Sequence, residues 1–402
     1  MSIVFLSPTG QSGGAEAALH ELLASLRESH PSWRLNLIVA SDGPLVERAR
    51  AIGVPVQILP FPSALARLGD WGLGKGFWPR AIFLARCVRA AWPAWSYVRA
   101  LRVALHRLTP DVVHTNGLKM HLLGAWARPK GAAVLWHIHD YIGRRPLIAK
   151  LLRRNAARCS SIVANSSSVA EDVRRVCRQG PGVHAVWNAV DLSRFAPDGP
   201  VVDLDALAGL SADAGVLRVG LVATFARWKG HHTFLEALAL LPRALPIRGY
   251  IIGGPVYETA GSQVSLEELR AHAAALELGS RVGFTGFISD SAAAMRSLDV
   301  VVHASTDPEP FGLVIAEAMA CAKPVVVSGS GGAAEIAESG ANALVHQPGD
   351  ANELSQCIAQ LARDAALRTR LGERGRHVAE QRFTRRRVAQ EFTPIYEAAA
   401  AH

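Results

Sequence analysis

Glu309-Pro310-Phe311-Gly312-Leu313-Val314-Ile315-Ala316-Glu317-Ala318-Met319-Ala320 sets two carboxylates eight positions apart around an apolar run. From Phe311 to Ala322 every residue except Glu317 is apolar or glycine. A helix built from this run is greasy on all sides and is predicted to be buried. Glu317 is then a lone carboxylate in an interior element, which costs roughly several kcal/mol if it is ionised and unpartnered. A partner is required, and two readings stand: a neighbouring backbone group or Arg, or a ligand. Pro310 and Gly312 place the helix start just after Glu309, where unpaired N–H groups and the positive end of the helix dipole face an anion. The segment offers an anion site, one carboxylate beside it and another one turn and a half deeper.

Around this segment, short apolar runs alternate with stretches of helical periodicity. Candidate strands are Ile3–Ser7, Leu35–Ala40, Val56–Leu59, Val112–Thr115, Val134–His137, Ser161–Ala164 and Val183–Trp187. The pattern restarts with Val216–Ala223, Gly249–Ile252, Val282–Phe284, Val300–His303, Pro324–Val327 and Ala343–Val345. Helices such as Ala15–Arg27, His232–Leu240, Leu266–Leu276 and Asn352–Arg363 fall between them. Alternation of this kind calls for parallel sheets covered on both faces. The expected fold is α/β: two Rossmann-like doubly wound domains, 1–188 and 189–384, facing an interdomain cleft. The turn-rich stretch from Asn188 to Pro200 marks the boundary. A final helix, 385–402, carries Val388, Phe392, Ile395 and Tyr396 on one face. Ligands of such sheets lie beyond the carboxyl ends of the strands.

Composition agrees with a globular enzyme. The 402 residues suit two domains at roughly 150 residues each, and 50% hydrophobic against 19% charged residues argues against long disorder. Five scattered cysteines, Cys87, Cys159, Cys177, Cys321 and Cys357, show no Cys-x-x-Cys spacing and read as reduced thiols of a cytoplasmic protein. The first residues lack a signal-peptide pattern, and no uncharged apolar stretch reaches membrane-spanning length. Charge is uneven: residues 1–190 hold 24 Lys and Arg against 10 Asp and Glu, whereas 191–402 hold 19 against 24. Within the basic half, Trp71, Trp78, Trp92 and Trp95 interleave with Arg80, Arg86, Arg89, Arg99, Arg102 and Arg107, and a second basic run covers Arg144–Arg158. The mix suits peripheral attachment to an anionic membrane surface, on its inner face; the alternative is arginines snorkelling over a domain core. No nucleic-acid-binding motif is visible, so nucleic acid is not an expected partner.

Motifs gather at the strand ends. Gly13-Gly14-Ala15-Glu16 follows the first strand and permits close backbone approach to a phosphate or sugar, or serves simply as a tight turn. It does not match Gly-x-Gly-x-x-Gly, which argues against a dinucleotide. Arg227-Trp228-Lys229-Gly230-His231 follows the first strand of the second half, and Arg227 and Lys229 could hold a diphosphate or lie solvated. Trp136-His137-Ile138-His139-Asp140 ends the fifth strand with a candidate ligand for sugar hydroxyls. Asn116, Lys119 and Asp140 are acceptor-side candidates.

Taken together, the chain resembles the retaining, nucleotide-sugar-dependent glycosyltransferases of family 4, which have the GT-B fold, over essentially its whole length. The resemblance rests on Glu309 to Glu317, supported by Gly13-Gly14-Ala15-Glu16, Trp228-Lys229-Gly230-His231, Asn188-Ala189-Val190-Asp191 and Gly331-Gly332-Ala333-Ala334-Glu335-Ile336. It implies catalytic roles for Glu309, His139 and Lys229. Glu317 would accept the donor's ribose hydroxyls, Glu309 and His139 would contact the transferred sugar, and Lys229 would bind the diphosphate. Gly13 and Gly14 would let the loop approach phosphate and sugar, and the amides of Phe311, Gly312 and Leu313 would complete the anion site. Many relatives carry Arg five residues before the lysine; Thr224 stands there in this chain, and Arg227 is the candidate substitute. The implied partners are a nucleotide-sugar donor and a glycan or lipid-linked acceptor, with the first domain binding acceptor and the second donor. No cofactor is implied, and no Asp-x-Asp metal motif stands at a strand end. Other classes left open are a sugar-nucleotide epimerase of the same fold and a non-catalytic binding protein.

Overall fold

The computed structural model describes residues 1–11, 13–66, 77–255 and 263–401, with no side-chain description for 66 and 77–90. They form two compact units, Met1–Ala189 together with Arg385–His402, and Val190–Thr384. The first holds β1 (Ser2–Ser7), β2 (Arg34–Val39), β3 (Val56–Ile58), β4 (Val112–Asn116), β5 (Ala133–Ile138), β6 (Ser161–Ala164) and β7 (Val183–Ala185). The second holds β8 (Leu217–Val222), β9 (Ile247–Ile252), β10 (Val282–Gly286), β11 (Val300–His303), β12 (Val325–Ser328) and β13 (Leu344–His346). Every pairing is parallel, in the orders β3-β2-β1-β4-β5-β6-β7 and β10-β9-β8-β11-β12-β13.

Burial on both faces explains why these strands read as unbroken apolar runs. In β1, Val4 and Leu6 enter the core under the Leu118–Ala127 helix, whereas Ile3 and Phe5 enter the core under the Gly14–Ser29 helix. Strand order reverses between β1 and β4 in the first unit and between β8 and β11 in the second. At such a switch point the connections leave on opposite sides and open a crevice beyond the strand ends. Register fixes what stands there: Leu6 pairs with Thr115, and Leu221 with Val302. Ser7 and Asn116 therefore leave the first sheet together, and Val222 and His303 leave the second.

The Arg385–Ala400 helix packs on the first unit, with Val388, Phe392, Ile395 and Tyr396 buried in the same core as Ile3, Phe5 and Leu19. Ala189, expected to open the second domain, is buried in that core as well. The second unit begins at Val190, whose N–H donates to the carbonyl of Phe383, its next-to-last residue, at 2.8 Å, so its two ends are bonded together. Among the described residues, no helix is long and apolar enough to cross a membrane.

Candidate functional site

In the second unit, β8 runs into a one-turn helix, Arg227–Lys229, closed by Gly230 at φ 75°. A Cβ on Gly230 would lie 1.8 Å from the Ala304 carbonyl oxygen, so only glycine lets this turn close against the exit of β11. The Thr306 N–H donates to the Trp228 carbonyl at 2.8 Å and fixes the two loops together. Lys229 is thereby held with its Nζ 4.0 Å from the Trp228 ring centroid and 2.7 Å from Glu309 Oε2. On the other side, Gly332 N–H donates to the Glu309 carbonyl at 2.7 Å, and a Cβ on Gly332 would stand 2.2 Å from the Pro310 carbonyl oxygen. Two glycine turns thus clamp the loop that carries Glu309.

The buried carboxylate of this site is Glu309, 7% exposed. Its Oε2 accepts from Lys229 Nζ at 2.7 Å, Ser305 Oγ at 2.9 Å and His303 Nε2 at 3.0 Å. Burial pushes its pKa up, but the Lys229 ammonium and the His303 hydrogen bond outweigh that and hold Glu309 well below the ordinary carboxylate range. Glu317 corrects the expectation from sequence: it is half-buried, on the same side of the Leu313–Ala320 helix as the half-buried Leu313 and Val314. The remaining positions from Ile315 to Ala320 are buried. The helix is apolar all round, yet one strip of it is accessible, and Glu317 stands on that strip.

Phe311 is buried against Phe383, and Gly312 caps the helix at φ 92° with no side-chain cap. The amide-lined helix start and Lys229 therefore flank Glu309. Arg227 does not join them. Its guanidinium makes a bidentate pair with Glu268 at 2.8 Å to each oxygen, on an exposed surface. The one Asp-x-Asp pair near this unit's start is structural: Asp203 caps a helix, and Asp205 is buried on Arg218, Arg248 and Tyr250.

The first unit gathers a second set at its own switch point. Gly13 caps the Gly14–Ser29 helix without a side-chain bond, and a Cβ on Gly14 would meet nothing within 4 Å. Packing among the described residues does not demand glycine at that position. Asn116 is buried, gives Nδ2 to the Ala15 carbonyl at 3.4 Å, and has no protein partner on Oδ1 among the described residues. Just past β5, the His139 ring lies 4.1 Å from that of His137, tilted at 43°, and among the described residues neither ring nitrogen of His139 has a protein partner. Burial draws the His139 pKa down to about 4, so the ring is neutral at pH 7. Lys119 lies 5.7 Å over the Phe61 ring, and exposed Asp140 is 3.8 Å from Arg145.

Several participants escaped sequence reasoning. His303 and Ser305 stand at the end of β11, where a strand-end scan could have found them. His114 and His137 form a buried row behind His139, their basicity lowered first by burial and then by neighbouring imidazoles. Glu16, in the quoted glycine motif, is 6% exposed at the third helical position. Burial raises its pKa to about 7 although the backbone N–H groups of Glu16 and Gly13 bond it, a half capping box.

Both units match proteins of known family. The model of Glycosyltransferase Family 4 matches residues 12–194, and that of Glycosyl transferases group 1 matches 211–378. The crystal structure of Anabaena HepE in complex with UDP-glucose superposes with a TM-score of 0.80 at 25% identity, covering 99% of this chain and 100% of that one. Sucrose-phosphate synthase from Thermosynechococcus elongatus shares the fold, at TM-score 0.79 and 21% identity over 100% and 99% of the two chains. The lipopolysaccharide core biosynthesis glycosyltransferase LpsE of Rhizobium meliloti is 33% identical over 205 residues, 51% of this chain and 56% of its own length. The chain belongs to the family 4 glycosyltransferases and has their GT-B fold.

Proposed function

We propose that this family 4 glycosyltransferase moves a sugar from a nucleotide diphosphate sugar to an acceptor hydroxyl, with retention at the anomeric carbon and without a protein-bound metal or other cofactor. The observation that carries the reading is the Lys229–Glu309 pair at the β8/β11 switch point, beside an uncapped helix start whose open face bears Glu317. Lys229 and the helix-start amides supply the positive charge that a departing nucleotide diphosphate needs. Glu317 takes the ribose diol, and Glu309 takes hydroxyls of the transferred sugar. In the first unit, the clear position at Gly14, the orphaned Oδ1 of Asn116 and the neutral His139 are suited to hydroxyl-rich ligands.

The donor to test first is UDP-glucose, because HepE was crystallised with it. The acceptor we infer is a glycan or glycolipid of the cell surface, as the role of LpsE in lipopolysaccharide core biosynthesis suggests, and the chain would work in the cytoplasm against the membrane's inner face. Support for attachment comes from Trp92 and Trp95, 72% and 51% exposed, stacked at 4.9 Å with Arg99 over Trp95. Leu147 and Leu151 are exposed on the basic Pro146–Asn155 helix. Trp71 and the side chains of Trp78, Arg80, Arg86 and Arg89 lie outside the described residues. The deciding experiment incubates the enzyme with UDP-glucose and other nucleotide sugars, with and without a lipid extract. Acceptor-dependent nucleotide release and an α-linked product from an α-donor support transfer with retention; an isomerised nucleotide sugar formed without acceptor would make the chain an epimerase.

A further inference from the structure

Three donors converge on a single oxygen of Glu309, and one of them has another task. If Lys229 serves the donor's diphosphate, as the proposed function holds, its ammonium cannot stay fully committed to Glu309 Oε2. A buried carboxylate that loses its counter-ion is pressed to take up a proton, and a protonated Glu309 would no longer be a double acceptor for sugar hydroxyls. We propose that His303 and Ser305 are positioning residues that keep Glu309 charged and aimed when the donor draws Lys229 away.

The geometry is built for this. His303 and Ser305 are 4% and 1% exposed, so neither can be reached by bulk water or aim elsewhere. A carboxylate only accepts, so the hydrogen is on His303 Nε2, 3.0 Å from Glu309 Oε2 and 3.0 Å from Ser305 Oγ. The Ser305 hydroxyl donates to the same carboxylate oxygen at 2.9 Å. Both are braced from behind: Ser328 Oγ donates to the Ser305 carbonyl at 2.6 Å, and His346 Nε2 lies 3.4 Å from the His303 carbonyl. Lys229 differs from this pair in kind, being the mobile member. Its flexible side chain is 19% exposed and held by the Trp228 face besides Glu309. The other titratable groups around the site are His231 beside Lys229, Asp307 in the same loop and Glu317 on the following helix.

The test needs no acceptor. Carboxyl-carbon NMR of Glu309 is followed against pH in Lys229→Ala, which imitates the lysine's departure, and again with His303→Ala added. The first variant should titrate within or below the ordinary carboxylate range, and adding His303→Ala should raise the midpoint by about one pH unit or more. His303→Gln, which can return an N–H to the carboxylate, should undo most of that rise. The proposal is overturned if Lys229→Ala alone leaves Glu309 protonated at neutral pH, or if adding His303→Ala does not move the midpoint. A second arm compares UDP with UDP-glucose by calorimetry. Ser305→Ala and His303→Ala should each lower the preference for the sugar-bearing ligand about tenfold, the worth of one charged hydrogen bond, with UDP affinity nearly unchanged. Equal losses for both ligands would mean a merely structural role. Wild-type enzyme that binds neither ligand would remove the donor reading itself, and the titration then decides this proposal alone.

Discussion

The Tyr396 hydroxyl and His114 Nδ1 share a hydrogen bond of 2.7 Å between two side chains with no exposure to solvent. It ties the last helix of the chain to β4 in the first unit. Arg385 adds pairs to Glu21 and Glu28 at 2.8 Å, and His30 Nε2 meets Thr393 Oγ1 at 2.7 Å. Removing the helix by truncation after Phe383 would delete Val388, Phe392, Ile395 and Tyr396, each worth about 1.5–3 kcal/mol of burial, and uncover the core around Ile3, Phe5 and Leu19. The first unit should then lose its cooperative unfolding transition, and activity with it; a truncated chain with wild-type melting would contradict the packing. Tyr396→Phe is the milder probe. It orphans a buried ring nitrogen and should cost about 1–3 kcal/mol.

Lys229 and Glu309 should prove energetically coupled. Lys229→Ala leaves the buried Glu309 carboxylate without its counter-ion, whereas Lys229→Ala with Glu309→Gln does not, so the double variant should be more stable than independent effects allow, by about 0.5–3 kcal/mol. The sign with pH follows from the depressed pKa of Glu309. Its contribution to stability is present above the unfolded value near 4.5 and is lost as pH falls toward its folded value. Acid unfolding of Glu309→Gln should lack that component, and identical acid limbs in the variant and wild type would refute it.

Glu317→Ala should abolish measurable donor binding while leaving the fold intact, since a half-buried carboxylate on an accessible strip contributes more to a ligand than to the core. A bidentate carboxylate contact to a diol is worth about 1.5–3 kcal/mol per charged hydrogen bond, so the loss should be at least tenfold in affinity. Equal UDP-glucose affinity in variant and wild type, by calorimetry, would sink the assignment.

The fold was legible in the sequence because strands buried on both faces cannot alternate; they show as apolar runs, and all thirteen strands among the described residues lie on runs recognised from sequence. Of the candidate site, the segment from Glu309 to Glu317 was legible because its motif is local. The site was illegible where partners are remote: Arg227 meets Glu268 across 41 positions, and Lys229 meets Glu309 across 80. The misreading of Glu317 has a different cause. Composition tells that a helix is apolar but not which strip of it is covered, and Glu317 lies on the uncovered strip.

Glu16 offers a pH signature opposite to that of Glu309. Its pKa is raised from 4.5 to about 7, so the folded state holds a proton that the unfolded chain releases. The stability this provides is complete below pH 4.5 and is lost as pH rises through 7. Glu16→Gln keeps an oxygen for the Gly13 amide and cannot ionise. The variant should therefore gain on wild type between pH 5 and pH 8, by up to about 3 kcal/mol at roughly 1.4 kcal/mol per unit. Denaturant unfolding at the two pH values measures this, and a constant difference between variant and wild type would show that Glu16 does not titrate there.

The exposed Trp92–Trp95 stack is the strongest ground for expecting the enzyme on a membrane. Two stacked indoles in solvent, with Arg99 above one of them, lose apolar surface when they enter a lipid headgroup layer. Neighbouring cations, Arg102 and Arg107 on the same helix and Lys150, Arg153 and Arg154 on the Pro146–Asn155 helix, would add about 1 kcal/mol each near an anionic surface. Binding should therefore be reversible, stronger to anionic than to neutral vesicles, and weakened by salt as the Debye length shortens. Trp92→Ala with Trp95→Ala should lower co-sedimentation with phosphatidylglycerol vesicles without lowering affinity for UDP-glucose, because neither tryptophan belongs to the donor site. Wild-type protein that shows no preference for anionic vesicles at low salt would end the membrane reading and leave the arginines as solvated cover for the core.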